Sequence, residues 1–183
     1  MLVPVVYTRT MESHKHSLWI VPEGEAKATL DNIVTTFAGE TGSATFIPHM
    51  TLIGDLIASE DEAIDVTRRI ASQAAPLDLQ LVEAEVMDEF YRCVFAKAEV
   101  SVELGELYAI THRVFPVASG EHFVKMPHLS VLYGEYDDAT KQGYAERLRE
   151  VLPIGWQATK LTLLYTEGQP ENWRTVAEIP LGR

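Results

Sequence analysis

Cysteine is almost missing from this chain. The single copy, Cys93, has no partner for an internal disulfide, so nothing requires an oxidising compartment. Basic residues are scarce: 15 Lys and Arg face 27 Asp and Glu, for a net charge of −12. That balance argues against a long nucleic acid, whose non-specific grip needs a broad basic face. It leaves room for a small phosphorylated ligand held by a few local donors. No apolar run approaches the ~20 residues that cross a bilayer, so no membrane partner is expected. Metal-site spacings are missing as well. There is no H-E-x-x-H, no cysteine pair and no carboxylate cluster beside the histidines discussed below, so no metal and no cofactor is expected. Leu2 to Tyr7 is apolar but short, and no basic segment precedes it, which argues against a signal peptide. The expectation is a cytoplasmic monomer with residues 1–16 as a flexible extension and 17–183 as one two-lobed domain. His14 and His16 read as solvated residues of that extension.

Against this plain background one pattern occurs twice. Phe46 to Gly54 reads FIPHMTLIG, and Lys125 to Gly134 reads KMPHLSVLYG. Each copy has a histidine, a proline just before it and a hydroxyl residue two places after it: His49 with Thr51, and His128 with Ser130. Both lie in apolar, strand-like sequence. Residues two apart on a strand share a face, so each histidine and its hydroxyl project together. Pro48 and Pro127 lack a backbone N–H, which suits the first residue or edge of a strand. His112, on a predicted helix, and His122, in a loop, lack this context.

The rest of the chain supplies a scaffold in two similar halves. Ser17–Pro22 predicts a strand. Leu30, Ile33, Val34 and Phe37 predict a helix over 25–37 with Gly39 ending it. The first histidine strand follows. Ser59 and Glu62 form a capping box that opens a helix running toward Ala75. Leu77, Leu79 and Leu81 alternate as a half-buried strand, and Phe90–Val100 predicts another. Leu104 to Phe115 predicts a helix, then a loop leads to the second histidine strand. Asp137 or Asp138 caps a helix whose inner face is Tyr144, Leu148, Val151 and Leu152. Trp156–Tyr165 and Trp173–Ile179 predict a closing strand pair. Each half reads strand, helix, histidine strand, helix. The fold class expected is α+β: a two-lobed, pseudo-symmetric duplication with mostly antiparallel sheet, helices on the outer faces and a cleft between the lobes.

Two histidines and two hydroxyls facing one cleft suit phosphodiester hydrolysis. An unperturbed imidazole pKa of ~6.5 lets one copy be neutral and the other protonated near neutrality. The neutral ring takes a proton from water while the charged ring gives one to the departing oxygen, each transfer being worth about 10²–10⁴-fold in rate. Thr51 and Ser130 are placed to donate to non-bridging phosphate oxygens.

The P-H-M-T and P-H-L-S pair resembles the two motifs of the two-histidine phosphoesterase superfamily. Within it, the chain is similar to the small cyclic phosphodiesterases of plants and fungi. SLWIVPE resembles their opening strand, FYRCVF their middle strand and ENWRTVAEI their closing strand, so the likeness runs from Ser17 onward. It implies that the enzyme opens ADP-ribose 1″,2″-cyclic phosphate, a by-product of tRNA splicing, to ADP-ribose 1″-phosphate. It also implies opening of nucleoside 2′,3′-cyclic phosphates to 2′-phosphates. Carried over, His49 and His128 are the acid–base pair, Thr51 and Ser130 hold the phosphate, and Tyr133 contacts substrate. Trp19 and Tyr91 are further candidates for stacking on a base. A regular strand would turn Tyr133, five residues beyond His128, to the opposite face, so its role requires the strand to end or bend near Leu132. Plant members of that group tend to be richer in cysteine, so any redox control through disulfides does not transfer to a chain with one cysteine. Two alternatives remain: an RNA-end 2′,3′-cyclic phosphodiesterase or ligase of the same superfamily, and a non-catalytic nucleotide-binding module.

Overall fold

Helical and extended stretches alternate through residues 13–114 and 126–182, which are those the computed structural model describes. The strands are β1 (His14–Ile20), β2 (Met50–Ala58), β3 (Leu77–Val86), β4 (Val94–Ala98), β5 (His128–Leu132), β6 (Ile154–Ala158), β7 (Lys160–Tyr165) and β8 (Arg174–Pro180). The helices are α1 (Gly24–Thr41), α2 (Glu60–Ala71), α3 (Val102–Val114) and α4 (Asp138–Arg149). Local chemistry sets the helix ends. At α2 the Ser59 hydroxyl accepts the Glu62 N–H while the Glu62 carboxylate accepts the Ser59 N–H, the predicted capping box. At α4 Asp137 accepts the Thr140 N–H at 2.9 Å. Helix α1 runs past Gly39, which lies on its exposed side, and stops at Gly42. Gly42 has φ 72 and sends its N–H to the Ala38 carbonyl. A mid-helix glycine costs only about 1 kcal/mol against alanine, too little to end an amphipathic helix that is packing well.

All eight strands join one antiparallel sheet in the order β6-β3-β4-β5-β2-β1-β7-β8. The sheet is strongly curled. Six strand steps separate β6 from β7, about 29 Å at the usual spacing on a flat sheet. Yet only Thr159 links them, and one intervening residue spans ~7 Å. The carboxylate of Glu23 holds that corner by accepting the Thr159 N–H at 2.8 Å and its hydroxyl at 2.8–3.0 Å. Trp156–Tyr165 is therefore two strands, not the single one the sequence suggested.

The strand order divides at its centre into β2-β1-β7-β8 and β5-β4-β3-β6, two lobes that meet where β2 pairs β5 through Met50 and Leu129. Strand–helix–strand–helix runs of matching order, β1-α1-β2-α2 and β4-α3-β5-α4, supply the inner strands of the lobes, β1 and β2 to the first and β4 and β5 to the second. The lobes also trade pieces: β3 leaves the first half of the chain to join the second lobe, and β7 and β8 return to the first. Helices α1 and α4 cover the second lobe, α2 and α3 the first. The core lies between helices and sheet, with Leu18, Ile20, Leu30, Met50, Leu81, Leu104 and Leu129 fully buried.

Two further sequence expectations shift. Strand β1 starts at His14 rather than Ser17, because it is a central strand with ladder partners on both sides, Ala58 opposite His14 and Tyr165 opposite His16. His14 and His16 are thus part of the sheet, and His16 is buried. Residues 1–12, the rest of the expected extension, lie outside the described residues, as does the loop carrying His122. The strand expected over 90–100 shrinks to β4, since β3 and β5 pair with it only over that span. Phe90–Arg92 form a short 3₁₀ turn instead.

Candidate active site

The centre of the sheet places both motifs. Met50 faces Leu129 across the β2–β5 pair. Antiparallel register then sets His49 beside Ser130 and Thr51 beside His128. All four point to the face away from the helices, while Met50, Leu52, Leu129 and Val131 point into the core. The two histidines are diagonal neighbours, for which ~7–8 Å between Cα atoms is usual. That spacing lets a phosphate sit between the rings.

A bulge follows each hydroxyl residue. On β2 the register jumps from Thr51 to Ile53 while β1 advances by one, and on β5 it jumps from Ser130 to Leu132 while β4 advances by one. The extra residue reverses the alternation beyond it. Tyr133 therefore returns to the same face as His128 and Ser130, which resolves the geometric tension noted from sequence. Strand β5 ends at Leu132, and Gly134, at φ 145, turns the chain away. The two lobes agree in further detail. Ser17 on β1 donates to the Ile53 carbonyl at 3.1 Å, and Cys93, just before β4, donates to the Leu132 carbonyl at 3.0 Å. These are equivalent bonds at the two bulges.

Each imidazole rests on an aromatic ring from the strand next to it. Trp19 stacks on His49 with centroids 3.3 Å apart and planes 5° from parallel. Phe95 meets His128 edge-on at 5.3 Å. Trp19 is itself pinned by its indole N–H, which donates to Ser17 Oγ at 2.6 Å. Tyr133 stacks on Phe46 at 3.6 Å and meets Tyr91 edge-on at 5.2 Å. Burial raises the Tyr133 phenol above its usual pKa, so it acts only as a neutral hydroxyl.

The ring nitrogens are oriented by short local bonds. His49 Nδ1 lies 2.6 Å from the Ile47 carbonyl, and His128 Nδ1 lies 3.1 Å from the Met126 carbonyl. Both acceptors precede the motif proline, which restricts the residue before it to extended backbone and so aims its carbonyl back at the ring. A carbonyl only accepts, so Nδ1 carries the proton and Nε2 is left facing the cleft. Burial lowers the His49 pKa to about 4, opposed by the Ile47 carbonyl and aided by the nearby His128. Burial also lowers His128. The Met126 carbonyl and Glu89 push it back up, while Arg92 pushes it down. The Ser130 hydroxyl donates to the Tyr91 carbonyl at 2.8 Å, so it must rotate to serve an anion.

His49, His128, Thr51, Ser130, Tyr133, Tyr91 and Trp19 all line one cleft of about 500 Å³ between the lobes. Sequence reasoning missed other residues that line it, among them Trp173, Lys15, Asp55, Arg92 and Glu89. Trp173 ends the β7–β8 loop and meets Trp19 edge-on at 5.7 Å, with Tyr91 opposite at 6.4 Å. No local pattern marks it, because only the curl of the sheet brings that loop over β1. The charged four form two ion pairs, Lys15–Asp55 at 3.2 Å and Arg92–Glu89 at 2.6 Å.

Comparison with known proteins gives a family and a fold. A family model described as the 2′-5′ RNA ligase superfamily matches residues 22–170. A cyclic phosphodiesterase of Arabidopsis thaliana is 22% identical over 169 residues, covering 88% of this chain and 92% of that protein. The fold is similar to that of E. coli LigT in apo form, with TM-score 0.63, 13% identity, 94% of this chain and 99% of that one covered. LigT complexed with 3′-AMP gives TM-score 0.57 at 12% identity, covering 92% of this chain and 95% of that one. The protein TT0787 of Thermus thermophilus gives TM-score 0.60 at 16% identity, covering 92% and 99%.

Proposed function

Because the chain belongs to the 2′-5′ RNA ligase superfamily, we propose that it hydrolyses cyclic phosphodiesters on small nucleotides without a metal, using His49 and His128 as the acid–base pair. The observation that carries this reading is the Met50–Leu129 register, which sets both motifs on one face of the sheet. Water attacks phosphorus as its proton passes to one Nε2. The bond from phosphorus to a ribose oxygen breaks as the other imidazolium protonates that oxygen, leaving a phosphomonoester. His49, held neutral to about 4, suits the base. His128, also lowered by burial but held up by the Met126 carbonyl against Arg92, suits the acid as the less depressed of the two. An anionic phosphate between the rings raises both pKa values, and the less depressed ring takes the proton first. Thr51 and Ser130 donate to non-bridging oxygens, Ser130 after giving up its bond to Tyr91. Tyr133 contacts the sugar-phosphate and the exposed Tyr91 stands beside the base, with Trp173 near it, whereas Trp19, buried and stacked on His49, backs that imidazole instead of a base.

The substrates proposed are ADP-ribose 1″,2″-cyclic phosphate and nucleoside 2′,3′-cyclic phosphates. The name of the Arabidopsis relative supports this class. E. coli LigT has been solved with phosphate and with 3′-AMP, and the proposal extends small phosphorylated ligands to this chain. The test is turnover of both substrates with chelator present. His49→Ala and His128→Ala should each cut kcat by about 10²–10⁴-fold, and unchanged rates would remove the assignment. The family description favours RNA ends as a second reading. Faster turnover of an oligonucleotide than of a mononucleotide with the same cyclic end would select it.

A further inference from the structure

Lys15 and Arg92 are the two lysine or arginine residues among the described residues that line the cleft, and each is already matched by a carboxylate of the same cleft. Arg92 Nη2 donates to both carboxylate oxygens of Glu89, at 2.6 and 2.7 Å. Its Nε is buried and has no hydrogen-bond partner among the described residues. Across the cleft, Lys15 pairs with Asp55, whose φ of 52 belongs to the left-handed region that Asp, Asn and Gly tolerate best. With the histidines neutral, these four formal charges cancel. Such a cleft is odd for an anion site if tight anion binding is what it serves.

We propose that Glu89 and Asp55 are specificity-determining residues that tune the cleft to a singly charged phosphodiester and against a doubly charged phosphomonoester. The proposal rests on the reading of the cleft as a cyclic-phosphodiester site. The substrate ester carries one negative charge. Ring opening consumes one water, breaks one P–O bond and creates a second acidic oxygen with a pKa of ~6, whose proton leaves through histidine to solvent. Coulomb energy is proportional to ligand charge, so surplus positive charge would favour product over substrate. Two carboxylates that cancel the two cations remove that bias. They speed product release.

The measurement is calorimetric binding by the full chain at pH 7.5 and low salt. The ligands are adenosine 2′-monophosphate and its methyl ester, which carries a single charge. Glu89→Gln and Asp55→Asn are compared with wild type. Asp65→Asn, an exposed helix position paired with Arg68, makes the same change in net charge away from the cleft. If a cleft variant binds the methyl ester about threefold tighter, the monoester should tighten about tenfold, because its energy doubles. High salt should shrink the difference, and Asp65→Asn should change neither ligand. Equal tightening of both ligands, weaker binding, or no measurable binding by any variant would overturn the proposal. Weaker binding would mean that the carboxylate only positions its cation. Turnover of cyclic substrates is read separately, so loss of the hydrolase reading and loss of this one are told apart.

Discussion

Replacing His49 with glutamine should flatten the acid side of the stability curve. Its imidazole lies against the Trp19 ring, and burial holds its pKa near 4 against an ordinary 6.5. Between those two values the unfolded chain holds more protons than the folded one. Stability is therefore full above about 6.5, is lost as pH falls, and levels off near 4. At pH 5 an unfolded imidazole is almost wholly protonated and the folded one almost wholly neutral, a difference of about 2 kcal/mol. His16 and His128 are also lowered by burial, so every variant loses some stability in acid. The contribution of His49 is the difference between two proteins. Urea unfolding at pH 7.5 and pH 5 should show wild type losing about 2 kcal/mol more than His49→Gln. Parallel losses would refute the reasoning, since they would mean that the ring is protonated as freely when folded as when unfolded. It would then be a poor candidate for the neutral base.

Two further substitutions test the scaffold. Gly134→Ala forces a side chain onto a backbone at φ 145 and sets its Cβ 2.5 Å from the Tyr136 ring. A melt should show a loss of about 1–3 kcal/mol, and because Tyr133 is next in the chain, KM for a cyclic nucleotide should rise. A melt within error of wild type would contradict the turn geometry. Cys93 is buried, its thiol pushed up to about 11, and it donates to the Leu132 carbonyl. It should resist alkylation until the protein unfolds. Cys93→Ser should fold as well as wild type because Ser17 already makes the equivalent bond in the other lobe. Cys93→Ala, which removes the side-chain bond to the Leu132 carbonyl, should cost about 1 kcal/mol more than Cys93→Ser.

The legible parts of this molecule are the local ones. The capping box at Ser59, the cap at Asp137 and the leucines of β3 depend on neighbours within four residues, and the structure has them where the sequence implies. The paired histidine motif is legible for a different reason. Its two copies share the same local grammar, so they stand out without knowledge of what pairs with what. The α+β duplication followed from that repeat. What stayed hidden depends on distant partners. The two bulges exist because β1 and β4 advance one residue while their neighbours advance two, so the return of Tyr133 to the cleft face is a property of the pairing. The break at Thr159 answers to Glu23, far away in sequence. Trp173 and both ion pairs reach the cleft only because the sheet curls. A first strand beginning at His14 was obscured by two histidines and a lysine, residues that signal solvent unless two flanking strands are known to cover them.

The central claim is that two imidazoles from matching strands converge on one phosphorus. A crystal structure of the protein with vanadate or inorganic phosphate tests it most directly. Nε2 of His49 and Nε2 of His128 should each lie within ~2.6–3.2 Å of oxygens on opposite sides of the same central atom. An anion held by one histidine alone, or seated elsewhere in the cleft with both rings turned away, would contradict it.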